Sequence, residues 1–231
     1  MNNMKAIFCK QAKDTMKNKA VLIQFLMFPV ISIIMNQTIK VDNLPEGYFI
    51  RMFAVMYIGM APIIAMSSII AEEREKNTLR VLLMSNVKPG EYLLGTGTYV
   101  WIMCMLGAIC MGIVGGYRGT DLMNFLILMA VGFIISIFGG ASIGGFCKNQ
   151  MVANSMMVPA MLILAFVPMM ATFNTTIEKY GQILYSQQIQ LFISHINDGK
   201  MEMKNYVITG INMVIVLITF VVAYRKNGLD E

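Results

Sequence analysis

Six long apolar runs separated by short polar connections set the pattern of this chain, at positions 20–36, 50–71, 92–115, 122–146, 151–173 and 206–224. Each has close to the ~20 residues that a helix needs to cross a bilayer. Two other stretches are polar on one side only. In 1–19, Met4, Ile7, Phe8, Ala12 and Met16 fall on one half of a helical wheel, while Lys10, Lys13 and Lys17 cluster on the other. This predicts an amphipathic helix along the membrane surface, its lysines toward anionic headgroups. In 174–205, Thr175 and Glu178 stand at capping-box spacing, followed by Ile177, Tyr180 and Leu184 and, beyond a polar break at 186–188, by Ile189, Phe192 and Ile196. Two short amphipathic helices at the outer interface fit that spacing.

The fold class expected is an all-α membrane protein in one domain, 1–231. It has an interfacial helix at 1–19, spans one and two in 20–71, and a charged segment and turn at 72–90. Spans three to five follow in 92–173, then the outer segment at 174–205 and span six with its tail in 206–231. Once the spans are subtracted, only connections remain. The lysines come too early for a cleaved signal peptide, so the amino terminus is expected to be retained.

Composition agrees: 57% of residues are apolar and 13% charged, against about 45–50% and 25% in soluble domains. The charge sets the orientation. Lys5, Lys10, Lys13, Lys17, Lys19, Arg74, Lys76, Arg80, Lys88, Lys148, Arg225 and Lys226 fall on one side; Lys40, Arg51, Arg118, Lys179, Lys200 and Lys204 fall on the other. Twelve against six places both termini in the cytoplasm. Cys9, Cys104, Cys110 and Cys147 lack metal-ligand spacing and His195 has no second imidazole to share a metal with. The 24 methionines are scattered through the apolar runs as flexible filler.

The densest charge lies in "AEEREKNTLRVLLMSNVKPGEYLLG", residues 71–95. A plain hairpin between spans needs only a few polar residues, and this connection has about 20. It favours helix over 72–84, with Glu72 and Lys76 at i, i+4 spacing, and it stops at Lys88, Pro89 and Gly90. Leu79, Leu82 and Leu83 give it an apolar side. A short helix with mixed charge and a greasy edge suits a groove on another protein.

"AEEREKNTLRVLLMS" followed by a Pro-Gly turn and "EYLLG" resembles the signature of type-2 ABC exporter permeases. The resemblance extends to the basic amphipathic start, to "NKAVLIQFLMFPVI" in span one, and to "MVANSMMVPAMLILAFVPMMATFN" before the last span. Asn77 stands where the family commonly has Gly, and Asn86 where Pro often follows the Ser; both bear on turn geometry. The resemblance implies a half-transporter in the cell membrane, of the bacterial plasma membrane type. It pairs with a second permease copy, identical or sister, and binds a separate ATP-binding subunit through a cytoplasmic coupling helix. Glu73, Arg74, Glu75, Thr78 and Leu79 would form the docking surface. In the same family the path is lined by spans one, two and five, which makes Gln24, Asn36, Met56, Asn154, Met157 and Met169 candidates, each equally suited to plain bundle packing.

No cofactor is expected on the chain itself; ATP and Mg belong to the partner subunit, membrane lipid is the solvent, and nucleic acid is not a partner. GxxxxGK[ST] is absent, and "GTGTYV" at Gly95 lacks the third glycine of a dinucleotide loop. The apolar runs carry no carboxylates, where a proton- or sodium-coupled carrier usually needs an ionisable group near midplane. The chain is therefore not expected to be an enzyme. An apolar, Met-rich path suits amphipathic or hydrophobic peptides of the toxin or bacteriocin type first and drugs second. The competing classes are an ATP-independent secondary carrier and a non-transporting scaffold or immunity protein.

Overall fold

A computed structural model of the chain describes residues 3–39, 47–196 and 202–227, and within these every regular element is a helix. Lys40 and Lys200, counted above toward orientation, lie outside the described residues, as do the side chains of Leu83 and Lys226. In order come α1 (Asn3–Lys17), α2 (Lys19–Thr38), α3 (Tyr48–Glu75), α4 (Thr78–Met84) and α5 (Pro89–Val114). They are followed by α6 (Thr120–Phe146), α7 (Gln150–Ala171), α8 (Thr175–Gly181), α9 (Tyr185–Ser194) and α10 (Met203–Asn227). Helices α2, α3, α5, α6, α7 and α10 are the six among the described residues that are long and apolar enough to cross a membrane.

Helix α3 is the central post, packed against α2, α5, α6, α7 and α9. In its apolar window 83% of residues are buried inside the protein, against 6% for α10, which packs on α6 and α9 through one side and leaves the other exposed. Glycines allow the helices around α3 to approach closely. A Cβ on Gly140 of α6 would lie 2.7 Å from the Ile63 carbonyl oxygen, and one on Gly144 would lie 3.0 Å from that of Ser67. The Gly140/Gly144 pair therefore serves packing within the subunit. At the other flank, Gly59 of α3 meets the backbone of Leu164 in α7, where a Cβ would sit at 2.9 Å.

Helix α1 lies on α5. Gly95 is the crossing point, since a Cβ there would come within 3.0 Å of Met4 O and of Ile7, and Phe8 meets Tyr99 edge-on with ring centroids 5.6 Å apart. The glycine that superficially suggested a nucleotide loop is thus a helix-crossing site. The inward stripe of α1 is Ile7, Gln11 and Thr15, while Met16 is exposed. The wheel placed Met16 on the apolar half, but it lies at the edge of that half and is left exposed, while Gln11 shares the phase of Ile7 and is buried with it.

Helix α8 begins one residue earlier than capping-box spacing suggested. Its cap is Asn174, whose Oδ1 accepts from the N–H groups of Thr176 (2.9 Å) and Ile177 (3.3 Å). Residues 186–188 are not a break: they open α9, and Ser186, Gln187 and Gln188 are buried. The turn falls earlier, where Gln188 Nε2 donates to Gln182 O at 2.5 Å. Ser136 of α6 pins the start of α9 inside the bundle, donating to Ile58 O at 2.6 Å while sharing a 2.8 Å hydrogen bond with Tyr185 Oη.

Candidate functional site

At 28 residues, α3 is about 42 Å long at 1.5 Å per residue, well beyond the ~30 Å hydrocarbon core. Its last turn, Glu72 to Glu75, therefore continues the span helix past the apolar region. No helix breaker intervenes before Asn77, and there the helix ends. Lys76 N–H donates to Glu72 O at 3.0 Å, Asn77 N–H donates to Arg74 O at 3.0 Å, and Asn77 takes φ 55°. Asn86, at φ 66°, ends α4 in the same way. Asn77 and Asn86 are the two non-glycine residues with positive φ among the described residues. They are also the two positions at which the signature departs from the resembled family. Asparagine tolerates this conformation better than other residues with a Cβ, and proline, locked near φ −65°, cannot adopt it. The helix anticipated over 72–84 is accordingly two helices with a fixed bend.

The charges at the bend each grip a different element. Glu73 is 7% exposed. Its Oε1 forms an ion pair with Lys10 and accepts a 2.7 Å hydrogen bond from the buried Gln11 amide, both on α1. This is why Gln11 faces inward. Arg74 Nη1 donates to Gly145 O in the last turn of α6, and Glu75 accepts from the first N–H of α7, that of Gln150, at 2.9 Å. The latter places a carboxylate on a helix N-terminus beside the Asn149 cap, whose Oδ1 accepts from Val152 N–H at 2.9 Å, where the helix dipole favours it. Thr78 Oγ1 donates to Glu73 O at 3.1 Å and so stitches α4 to α3. Glu91 adds a tie between α1 and α5 by accepting from Asn3 Nδ2 at 2.9 Å and Lys88 N at 3.1 Å. The outermost pair, Lys76 with Glu72, is solvent-facing; its hydrogen bond raises the Lys76 ammonium above the usual lysine range and adds little to stability.

Helix α4 completes the site. Leu79 is buried in the core and Leu82 packs against it. The opposite side presents Arg80 with Val81 (64% exposed) and Met84 (81% exposed). These three did not stand out in the sequence. The phase of Leu79 and Leu82 was the signal that pointed to them, because it fixes which side of a seven-residue helix is left outward. Of the five residues named as a docking surface, Glu73 and Leu79 face into the protein, Arg74 is half-buried, and Glu75 and Thr78 are exposed.

The six path candidates sit on α2, α3 and α7. Met56 and Met157 are buried, and Met157 Sδ lies 3.2 Å from Ser67 Oγ of α3. Gln24, Asn36 and Met169 are half-buried, and Asn154 is exposed. Helices α2 and α7 each pack on α3 and not extensively on one another. No group of three metal-ligating side chains comes together among the described residues.

The family model described as "ABC-2 family transporter protein" matches residues 1–224. A comparison with curated proteins finds no match.

Proposed function

The chain belongs to the ABC-2 family of transporter proteins and is a membrane component of such a transporter, and on that premise we propose that it is the permease half of an ATP-driven exporter. Two copies, or this chain and a sister, would frame the path. A separate ATP-binding subunit would supply the energy from the cytoplasm, where both termini would lie. The cargo proposed is an amphipathic or hydrophobic peptide, with hydrophobic drugs second, in keeping with the apolar residues on α2 and α7.

The observation that carries this reading is the contrast between the two sides of the α3–α4 bend. Inward, its charges fasten α3 to α1, α6 and α7. Outward, beyond the apolar spans, α4 presents Val81 and Met84 beside Arg80. Exposed apolar side chains at an aqueous surface mark a contact with another protein, and a bend tied to three helices passes a push on to all of them. We place the docking surface on the outer side of α4 together with the exposed Glu75 and Thr78, with Glu73, Arg74 and Leu79 holding it in position. The reaction is a rigid-body switch in which ATP closes the partner subunits and α4 carries that movement into the spans.

The test is co-purification of the ATP-binding subunit with Val81→Asp/Met84→Asp. The expected result is loss of that subunit with membrane insertion and thermal stability unchanged. Undiminished binding by this variant and by Glu75→Lys would refute the assignment.

A further inference from the structure

We propose that the groove between α5, α6 and α10 binds an acyl chain of an anionic phospholipid whose headgroup is held by Lys88, Lys148 and Arg225. The site is independent of the transport reading and requires only that the long helices cross a membrane. The groove has a volume of about 420 Å³ and is lined by the first half of α5 (Gly90, Gly97, Trp101), the second half of α6 (Ile137, Ala141) and Phe220 of α10. The indole N–H of Trp101, one of the few polar groups on its wall, is already engaged, donating to Ala130 O at 3.3 Å.

Three features identify the occupant. The first is position: Met66 of α3 forms its floor, and the exposed Leu94 and Thr98 of α5 stand on its rim, so the groove opens on the outer face of the bundle, toward the hydrocarbon. Missing side chains create the space, since a Cβ on Gly97 would make only an ordinary 3.5 Å contact with Ile137, and one on Gly90 would meet nothing within 4 Å. An apolar crevice without a partner forfeits dispersion contacts that a lipid chain restores.

The second feature is length. Gly90 to Trp101 spans 11 residues of helix, about 16 Å at 1.5 Å per residue. Half of the ~30 Å hydrocarbon thickness is ~15 Å, the depth of one leaflet's chains.

The third is charge. The three lining helices each carry an exposed basic residue at the same end of the groove. Lys88 immediately precedes α5, Lys148 follows α6, and Arg225 lies in the last turn of α10, five residues past Phe220. The neighbouring carboxylate, Glu91, is occupied by Asn3 and the Lys88 N–H. One leaflet-deep apolar slot capped by three cations matches a single-chain footprint with an anionic head, and a zwitterionic lipid would satisfy only the slot.

Trp101 is the chain's one tryptophan, so its fluorescence reports the groove alone. The intact chain in vesicles of otherwise unlabelled lipid is titrated with phosphatidylglycerol brominated on its acyl chains, and separately with brominated phosphatidylcholine. The expected result is quenching by phosphatidylglycerol that saturates at low mole fraction, with at least tenfold preference over phosphatidylcholine. Lys88→Gln should reduce that preference about fivefold, the weight of one basic residue near an anionic surface. Gly97→Leu, which fills the slot, should abolish the saturable component. Quenching that rises in proportion to mole fraction and equally for both headgroups would overturn the proposal, because ordinary contact with bulk lipid behaves that way. Absence of quenching by either lipid would overturn it too, since the groove is then covered by protein.

Discussion

Replacing Lys10 by methionine tests the tie between α1 and α3, because it removes the cation paired with Glu73 and leaves that carboxylate with the Gln11 amide in a place where it is 7% exposed. Removing one member of a buried ion pair costs about 3–5 kcal/mol. The lower end, about 3 kcal/mol, applies because the Lys10 side chain is itself 33% exposed and the site is only partly desolvated. Glu73→Gln alone should cost about 1 kcal/mol: the new amide oxygen still accepts from Gln11, and Lys10 turns to water and to Asp14, already 3.7 Å away. In the double variant no charge is stranded, so the loss should fall back to about 1 kcal/mol instead of the additive ~4 kcal/mol. Glu73→Gln is thus destabilising in the natural chain and stabilising by about 2 kcal/mol in the Lys10→Met background. Hydrogen exchange of the α1 amides reads this directly, because detachment of α1 is the local opening at stake. Adding Glu73→Gln to Lys10→Met should slow that exchange by about 30-fold. Additive losses, or α1 exchange indifferent to all three variants, would refute the tie.

Two further predictions concern the backbone. Asn77→Gly should retain or raise thermal stability, by up to about 1 kcal/mol, whereas Asn86→Pro should lower it by about 3 kcal/mol or more, since φ 66° is closed to proline. Equal melting temperatures for the two variants would contradict the bends. Along α6, Gly139→Ala should be neutral or stabilising by up to about 1 kcal/mol, because a Cβ there meets nothing within 4 Å, while Gly140→Ala drives a methyl into Ile63 O and should cost about 1–3 kcal/mol. Denaturation in detergent compares the two neighbouring substitutions.

Much of the fold was legible because the bilayer demands one signal, a long apolar run, and the chain supplies it six times. What the runs could not convey is how the helices are ordered around α3, since a helix apolar on all sides carries no phase. The tight contacts of α3 with its neighbours fall at Gly59, Gly140 and Gly144. At the polar ends, a local rule misled where a long-range partner intervened: residues 186–188 are drawn into α9 beside the Ser136–Tyr185 pair. The charged segment stood out as the feature of interest. The individual destinations of Glu73, Arg74 and Glu75 on α1, α6 and α7 lie 62, 71 and 75 positions away along the chain, beyond any local pattern.

If the α3–α4 bend is a lever fastened to the bundle, it must move with the start of α7 and not against it. Met84 and Met151 are both well exposed, one at the end of α4 and the other beside the Glu75 cap on α7. Spin labels attached through Met84→Cys and Met151→Cys, after the exposed Cys9 and Cys110 are replaced, would give the distance within one copy by pulsed electron resonance. A label through Met84→Cys alone would give the distance between copies. Trapping the partner subunits with ATP should leave the first distance unchanged and shift the second by several ångströms. A changed distance within one copy, with the separation between copies constant, would contradict the rigid lever.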